Sequence, residues 1–304
     1  MKDVIIIGGG PAGLTAALYA SRSGQSVLLL ESENIGGQIT AAPLVENFPG
    51  TPQISGMLFA DQLFEQVMAL GVELALEKAI KIIDQGDHKV VVTEDGRHSG
   101  RAVIIATGAK HRHLGLPREN DLIGQGISYC AVCDGAFYKG KQVLVVGGGN
   151  SGFEEGLFLT NFATKVTIVE FMPEVKATKI LQKKVAERQG MEVITNHEVL
   201  EFLVKDRRLG GVRVKDRATG EVKEWHPDGV FIFVGYAPNS DFLPAEIERD
   251  RRGFVVTDKT LQTSMHGVFA AGDVRAGSTA QLAAAAGEGA AVALMMREYL
   301  REHA

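Results

Sequence analysis

The chain has 304 residues, 45% of them hydrophobic and 23% charged, with a formal net charge of -5. That length suits two domains with sizeable cores, and the charge provides no basic field for nucleic acid. No apolar run reaches the length of a membrane span, and the run after Met1-Lys2-Asp3 is too short for a signal segment, so the cytoplasm is expected.

Residues 3–7 are apolar and end in glycine, as a buried parallel strand does. The turn Gly8-x-Gly10-Pro11-Ala12-Gly13 follows, then an alanine-rich helical stretch over 11–23, closed by Gly24. A second strand over 27–30 closes on Glu31. This βαβ pattern is a dinucleotide-binding signature. Its glycines permit a tight turn and close approach of a pyrophosphate to the helix N-terminus. Glu31 stands where a carboxylate accepts hydrogen bonds from an adenosine ribose.

Two turn-rich segments come next, Gly36-Gly37-Gln38 and residues 45–50. Ser55 is placed to cap a helix over 56–70. Strands are expected around 79–83 and 89–93, with Asp95-Gly96 as a hairpin turn, and over 101–106, ending in Thr107-Gly108. His111 and His113 read as solvated linker residues.

The only two cysteines, Cys130 and Cys133, are spaced C-x-x-C. Two cysteines build no disulfide framework. The pair reads as inert thiols, as half a zinc site, or as a dithiol/disulfide couple. Zinc wants four ligands, and neither a second C-x-x-C nor a histidine pair at ligand spacing accompanies it. Asp134, directly after Cys133, favours the redox couple, because thiol exchange needs a proton shuttle.

The first pattern then repeats. A strand over 142–146 leads into Gly147-x-Gly149-Asn150-Ser151-Gly152, a helix over 151–162 and a strand over 166–169 that closes on Glu170. Glu31 lies 18 residues after Gly13, and Glu170 lies 18 after Gly152. Equal spacing implies two units of one construction. Further strands are expected near 192–195, 211–214 and 229–234, with Asn239 and Pro244 in a return linker. A strand ending on Gly272-Asp273 and a long helix over 278–302 close the chain. The lone Trp225 has no assigned role. The fold class is α/β, with two Rossmann-like dinucleotide-binding domains.

Together the turn at 8–13, Gly36-Gly37-Gln38, Glu46-Asn47-Phe48-Pro49-Gly50, Cys130-Ala131-Val132-Cys133-Asp134-Gly135 and residues 267–274 resemble bacterial low-molecular-weight thioredoxin reductases, over nearly the whole chain. The resemblance implies FAD in a discontinuous domain, 1–112 and 242–304. A nicotinamide domain, 113–241, is inserted into it and carries the dithiol. A homodimer and a thioredoxin or thioredoxin-like partner are implied as well. By the same resemblance Cys133 would be the thiol nearest the flavin, Cys130 the thiol that attacks the partner, and Asp134 the acid/base. Asn47 and Gln281 would touch the isoalloxazine and Asp273 the ribityl chain, with Thr107, Gly108, Ala280 and Leu282 lining the same cofactor. One domain would swing against the other about hinges at 111–115 and 238–242.

Three positions depart from the family pattern. Glu170-Phe171-Met172 replaces the His-Arg-Arg of NADPH users, whose later arginine is Lys176 here. Ala280 replaces an arginine, and Ala136-Phe137 replaces an aromatic pair. NADH is therefore expected in preference to NADPH. A ferredoxin-type donor, or a redox sensor without turnover, are the rival readings.

Overall fold

The structure, a computed structural model, describes residues 1–42, 45 and 47–303. Glu46 of the turn-rich segment lies outside the described residues. The chain divides into two compact units. Met1–Lys110 joins Ala237–Ala304 in one, and His111–Tyr236 forms the other. The crossings thus fall a few residues before the expected positions. Asn239, expected in a return linker, already belongs to the first unit and holds Thr107 there.

The first unit begins with β1 (Lys2–Ile7), α1 (Pro11–Arg22), β2 (Val27–Glu31) and α2 (Gly56–Met68). It continues through β3 (Glu73–Leu76), β4 (Ala79–Asp84), β5 (Lys89–Thr93), β6 (Arg97–Ile105) and β7 (Ala109–His111). Ser55 caps α2 as expected, its side chain accepting from the Leu58 N–H at 3.2 Å. The β5–β6 hairpin closes at Gly96, whose carbonyl accepts from Thr93 N–H.

In the second unit come β8 (Ile127–Ser128), α3 (Ala131–Asp134), β9 (Gln142–Val146), α4 (Asn150–Leu159) and β10 (Lys165–Val169). They are followed by α5 (Lys179–Ala186), β11 (Met191–Ile194), β12 (His197–Lys205), β13 (Arg208–Asp216), β14 (Val222–Trp225) and β15 (Gly229–Ile232). The chain re-enters the first unit through β16 (Tyr236–Pro238), which pairs with β7, and ends with β17 (Val268–Ala270) and α6 (Leu282–Glu302).

The first unit's sheet runs β3-β2-β1-β6-β5-β4. β6 does double duty. Its first half pairs antiparallel with β5, while its second half lies parallel between β1 and β17. One face of the sheet is covered by α1 and α6, which meet around Leu14, Val292 and Met296. The two helices approach closely because residue 289 is glycine, where a Cβ would lie 2.3 Å from the Ala12 carbonyl oxygen. The opposite face buries Ile5, Ile7, Leu28 and Leu30 against Ile82, Val91 and the 243–274 segment.

The second unit holds a parallel sheet, β11-β10-β9-β15-β8. Buried residues of α4 and α5 cover one face through Phe153, Leu159 and Val185. An antiparallel sheet, β12-β13-β14, covers the other through Val199, Phe202, Val212 and Val214. The sequence reading finds only β13 of that sheet. Trp225, at the end of β14, stacks on His197 and packs into this core.

Candidate active site

The two glycine-rich turns are built alike. Gly8 and Gly147 have φ of 111° and 120°, and a Cβ there would lie 2.4 Å from the Ala106 oxygen and 2.2 Å from the Phe233 oxygen. A Cβ on Gly13 or Gly152 would strike the carbonyl of Gly8 or Gly147 at 1.8 and 1.9 Å. Those four glycines are therefore demanded by the fold. Gly10 and Gly149 are different. Each is the N-cap of its helix without a side-chain cap, and a Cβ there would meet nothing within 4 Å. The space in front of two uncapped helix N-termini suits the pyrophosphate of a bound dinucleotide. Pro11, at the first position of α1, removes no N–H that the helix needs.

Each second strand ends in a carboxylate that reaches back to its own turn. Glu31 Oε2 accepts from Gly9 N–H at 2.6 Å, and Glu170 Oε2 accepts from Gly148 N–H at 2.6 Å. The other oxygen accepts from Ser32 and Glu33 N–H in the first unit and from Met172 N–H in the second. A solvated strand-end carboxylate would make none of these bonds. Both acids are fixed beside their turns.

Other elements of the first unit converge on its turn. Gly36 N–H donates to the Gly9 carbonyl at 2.8 Å, and a Cβ on Gly37 would lie 3.2 Å from Gly10 Cα. The 3-10 turn Gly37–Ala41 carries Gln38, which is exposed. Gly272 packs against Ala12, and its N–H is held by Glu288 Oε2 at 2.8 Å. Glu288 also clasps Arg275 through two bonds, of 2.6 and 3.0 Å. Beside it the Asp273 carboxyl titrates above its ordinary range, chiefly because it is buried, and accepts from Ser278 Oγ at 3.2 Å. Asn47 Nδ2 donates to Gln281 Oε1 at 3.3 Å, so residues 234 apart in sequence meet. Thr107 turns its hydroxyl to the Asn239 carbonyl at 2.7 Å, while its backbone packs under Gly8.

The final helix starts at Leu282 rather than Ser278, because Ala280 has a φ of 51° and breaks the helical path. That left-handed conformation costs an alanine about 1 kcal/mol. It turns the chain between Asp273 and Gln281, and such strain gathers at functional sites. Conserving the space around Gly10, the Glu31 carboxylate and the Asn47–Gln281 pair, the first unit fits a flavin dinucleotide.

In the second unit Cys130 and Cys133 form a disulfide with their Cα atoms 5.3 Å apart. Cys130 is the N-cap of α3, and the Cys133 N–H points to its sulfur at 3.1 Å. Cys133 is exposed and Cys130 half-buried. Ser128 Oγ accepts from Cys130 N–H at 3.0 Å and donates to its carbonyl at 3.1 Å, which fixes the approach to the pair. Asp134 closes the same helical turn, its N–H donating to the Cys130 carbonyl. The Tyr138 phenol is held above its usual range, chiefly by its own burial and then by the charges of Asp134 and Asp228. Phe137 stands 74% exposed three residues beyond Asp134.

The sequence reading missed Glu119. Buried at 3% exposure, it accepts from the N–H groups of Leu114, Gly115 and Leu116 and from the Tyr129 hydroxyl, one residue before Cys130. The expectation that His111 is solvated is corrected here. Its ring packs against Tyr129, Phe233 and Tyr236, and burial, with the His113 charge, pushes its imidazole below the ordinary range. His113 remains exposed, with its ring 4.7 Å from that of Tyr129. Asn150, the first residue of α4, accepts from Thr178 N–H at 2.9 Å through Oδ1 and so fastens the segment before α5 to the glycine turn, while Ser151 follows it in the first turn of the helix.

Glu155 on α4 is a buried carboxyl with no partner for Oε2 among the described residues. Burial, then the charge of Glu154, raises it from 4.5 to about 7. Between those values the folded chain keeps a proton that the unfolded chain has lost. Stability therefore falls as pH rises through that window. Glu155→Gln is expected to flatten the fall, which amounts to a few kcal/mol. Urea unfolding followed by the fluorescence of Trp225, in the same unit, measures it; parallel pH profiles for both proteins would refute the assignment.

Known proteins share this arrangement. The family model for pyridine nucleotide-disulphide oxidoreductases matches residues 2–289. The thioredoxin reductase of Bacillus subtilis (strain 168) is 41% identical over 300 residues, covering 99% of this chain and 95% of that one. The crystal structure of Lactococcus lactis thioredoxin reductase matches with a TM-score of 0.92 at 39% identity, covering 99% of this chain and all of that one. That of T. acidophilum thioredoxin reductase gives 0.89 at 37% identity, covering 100% and 99%. With its two dinucleotide turns and a disulfide set beside the second, the chain belongs to the pyridine nucleotide-disulphide oxidoreductases, as a thioredoxin reductase of the low-molecular-weight kind.

Proposed function

We propose that the protein carries an electron pair from NADH, by way of FAD held in the first unit, to the Cys130–Cys133 disulfide and on to a thioredoxin-like protein disulfide. The observation that carries this reading is the disulfide itself, at an N-cap in the unit of the second dinucleotide turn. When bound, FAD accepts the hydride of the nicotinamide and passes two electrons to the disulfide. The chain's own residues do the rest. Gly10 and the N-terminus of α1 take the pyrophosphate, Glu31 the ribose, and Asn47, Asp273 and Gln281 the remainder of the flavin cofactor. Gly149 and α4 do the same for the donor.

Cys130 is the attacking thiol in this proposal. The Cys133 N–H aimed at its sulfur stabilises negative charge there once the pair is reduced. Its thiolate attacks one partner sulfur and displaces the other as thiolate. Cys133 then attacks Cys130 in the mixed disulfide, releasing the partner as a dithiol and restoring the Cys130–Cys133 bond. Asp134 supplies and recovers the proton. Phe137 offers the partner an exposed aromatic surface beside the pair. A homodimer in the cytoplasm completes the proposal; no helix among the described residues is long and apolar enough to cross a membrane.

The preference for NADH rests on Glu170. A carboxylate held 2.6 Å from Gly148 N suits two ribose hydroxyls and repels a 2′-phosphate. Replacing Glu170-Phe171-Met172 by His-Arg-Arg is expected to reverse the preference, with a swing on the order of 10²-fold in kcat/KM. Anaerobic titration of the wild-type protein with NADH and NADPH, followed at the flavin band, tests the reading. Equal reduction by both would remove the Glu170 argument, and reduction by neither would favour the ferredoxin-type donor. Reduction without turnover of any protein disulfide would favour the redox sensor.

A further inference from the structure

Neither Phe171 nor Met172 brings a cation to the chain just after Glu170, yet the fold delivers one from the turn between β13 and β14. The Arg217 guanidinium carbon lies 3.6 Å from the centre of the Phe171 ring, and its Nη1 donates to the Phe171 carbonyl at 2.8 Å. Backbone bonds tie that turn to the strand end. Arg217 N–H donates to the Asn196 carbonyl at 2.7 Å, Asn196 N–H to the Met172 carbonyl at 3.0 Å, and His197 N–H to the Glu170 carbonyl at 3.0 Å. Asn196 has a φ of 56°, which lets it bridge both sides. Arg217 is thus anchored at backbone and side chain to the segment that follows the ribose carboxylate. No carboxylate pairs with it among the described residues.

A guanidinium has five N–H donors in a planar fork, and the Phe171 carbonyl engages one nitrogen of Arg217. The ring beneath strips water from one face of the cation and strengthens its remaining interactions. A phosphate beside Glu170 would meet repulsion from the carboxylate and attraction from this fork. The ribose hydroxyls of NADH ask nothing of it.

We propose that Arg217 is a specificity-determining residue: reaching in from the β13–β14 turn, it receives the 2′-phosphate and limits how strongly the site rejects NADPH. This rests on the reading of Glu170 as the ribose acid of the donor site. The selectivity for NADH is accordingly a balance between Glu170 and Arg217, and each residue shifts it in the opposite direction.

Binding of NAD+ and NADP+ to the purified FAD-loaded protein, measured by isothermal titration calorimetry, tests this without turnover. Arg217→Ala is expected to weaken NADP+ by roughly tenfold and NAD+ by less than about threefold. Arg217→Lys keeps the charge without the fork and should fall between, with a loss that shrinks as salt rises. Glu170→Gln should move the ratio toward NADP+. An equal loss for both nucleotides would make Arg217 a mere wall for the adenine and overturn the proposal, as would no change in either. Wild-type protein that binds neither nucleotide would instead overturn the donor-site reading on which it rests. Unchanged Trp225 fluorescence in each variant verifies that the second unit is folded.

Discussion

Cys133→Ser is expected to abolish multiple turnover and to trap the protein partner on Cys130. The disulfide joins residues at the two ends of a single helical turn, so each sulfur can reach a bond made by the other. With Cys133 gone, Cys130 can still attack, but nothing resolves the mixed disulfide. Incubation with oxidised or mixed-disulfide thioredoxin, followed by intact-mass measurement under non-reducing conditions, should show a covalent adduct of one partner per chain. Cys130→Ser should lose turnover equally and form far less adduct, because the Cys133 N–H is aimed at the Cys130 sulfur and stabilises the attacking thiolate there. Equal trapping by both variants would show that the two thiols are interchangeable.

The second large effect is expected at Asp134. A thiolate leaving a disulfide departs faster when a proton is at hand, and a positioned acid/base contributes about 10²–10⁴-fold. Asp134 lies in the same turn as the two sulfurs, one residue beyond Cys133. Asp134→Asn keeps the shape and the backbone bond to Cys130 but cannot exchange a proton. Disulfide turnover should drop within that range, while reduction of the flavin by the nicotinamide continues unchanged. Turnover at the wild-type rate would reduce Asp134 to a turn residue.

Most of the machinery was legible in the residues because it depends on local rules. A strand, a glycine turn, a helix and an acid at fixed distance describe a βαβ unit completely, and both copies are found where the spacing puts them. The cysteine pair needed only its own spacing and the next residue. What stayed hidden depends on non-local pairing. β12 and β14 are rich in charge and half exposed, so neither carries a strong alternating signal; their register comes from β13 between them. The short α5 has the same weakness. Glu119 resembles any surface acid until three backbone N–H groups and a tyrosine close on it. Arg217 lies 46 residues from Phe171, and no local pattern joins them. His111 was misjudged because a histidine among polar neighbours in sequence gives no hint of three aromatic rings arriving from residues 129, 233 and 236.

The parting of the first unit into two stretches of chain bears on how the protein is made. β6 presents its second half to β1 on one edge and to β17 on the other, and α1 meets α6 across Gly289. β17 begins at residue 268 and α6 at 282. A nascent chain that has emerged as far as residue 236 holds every strand of the second unit's parallel sheet, but the first unit still lacks an edge partner and a helical layer. Synthesis runs at about 5–20 residues per second, which gives the inserted unit several seconds of priority on the ribosome. Until the tail emerges, the apolar side of α1 and the open edge of β6 are the surfaces on which a chaperone would act. Released chains truncated between residues 240 and 265 should resist protease across the second unit and be digested in the first.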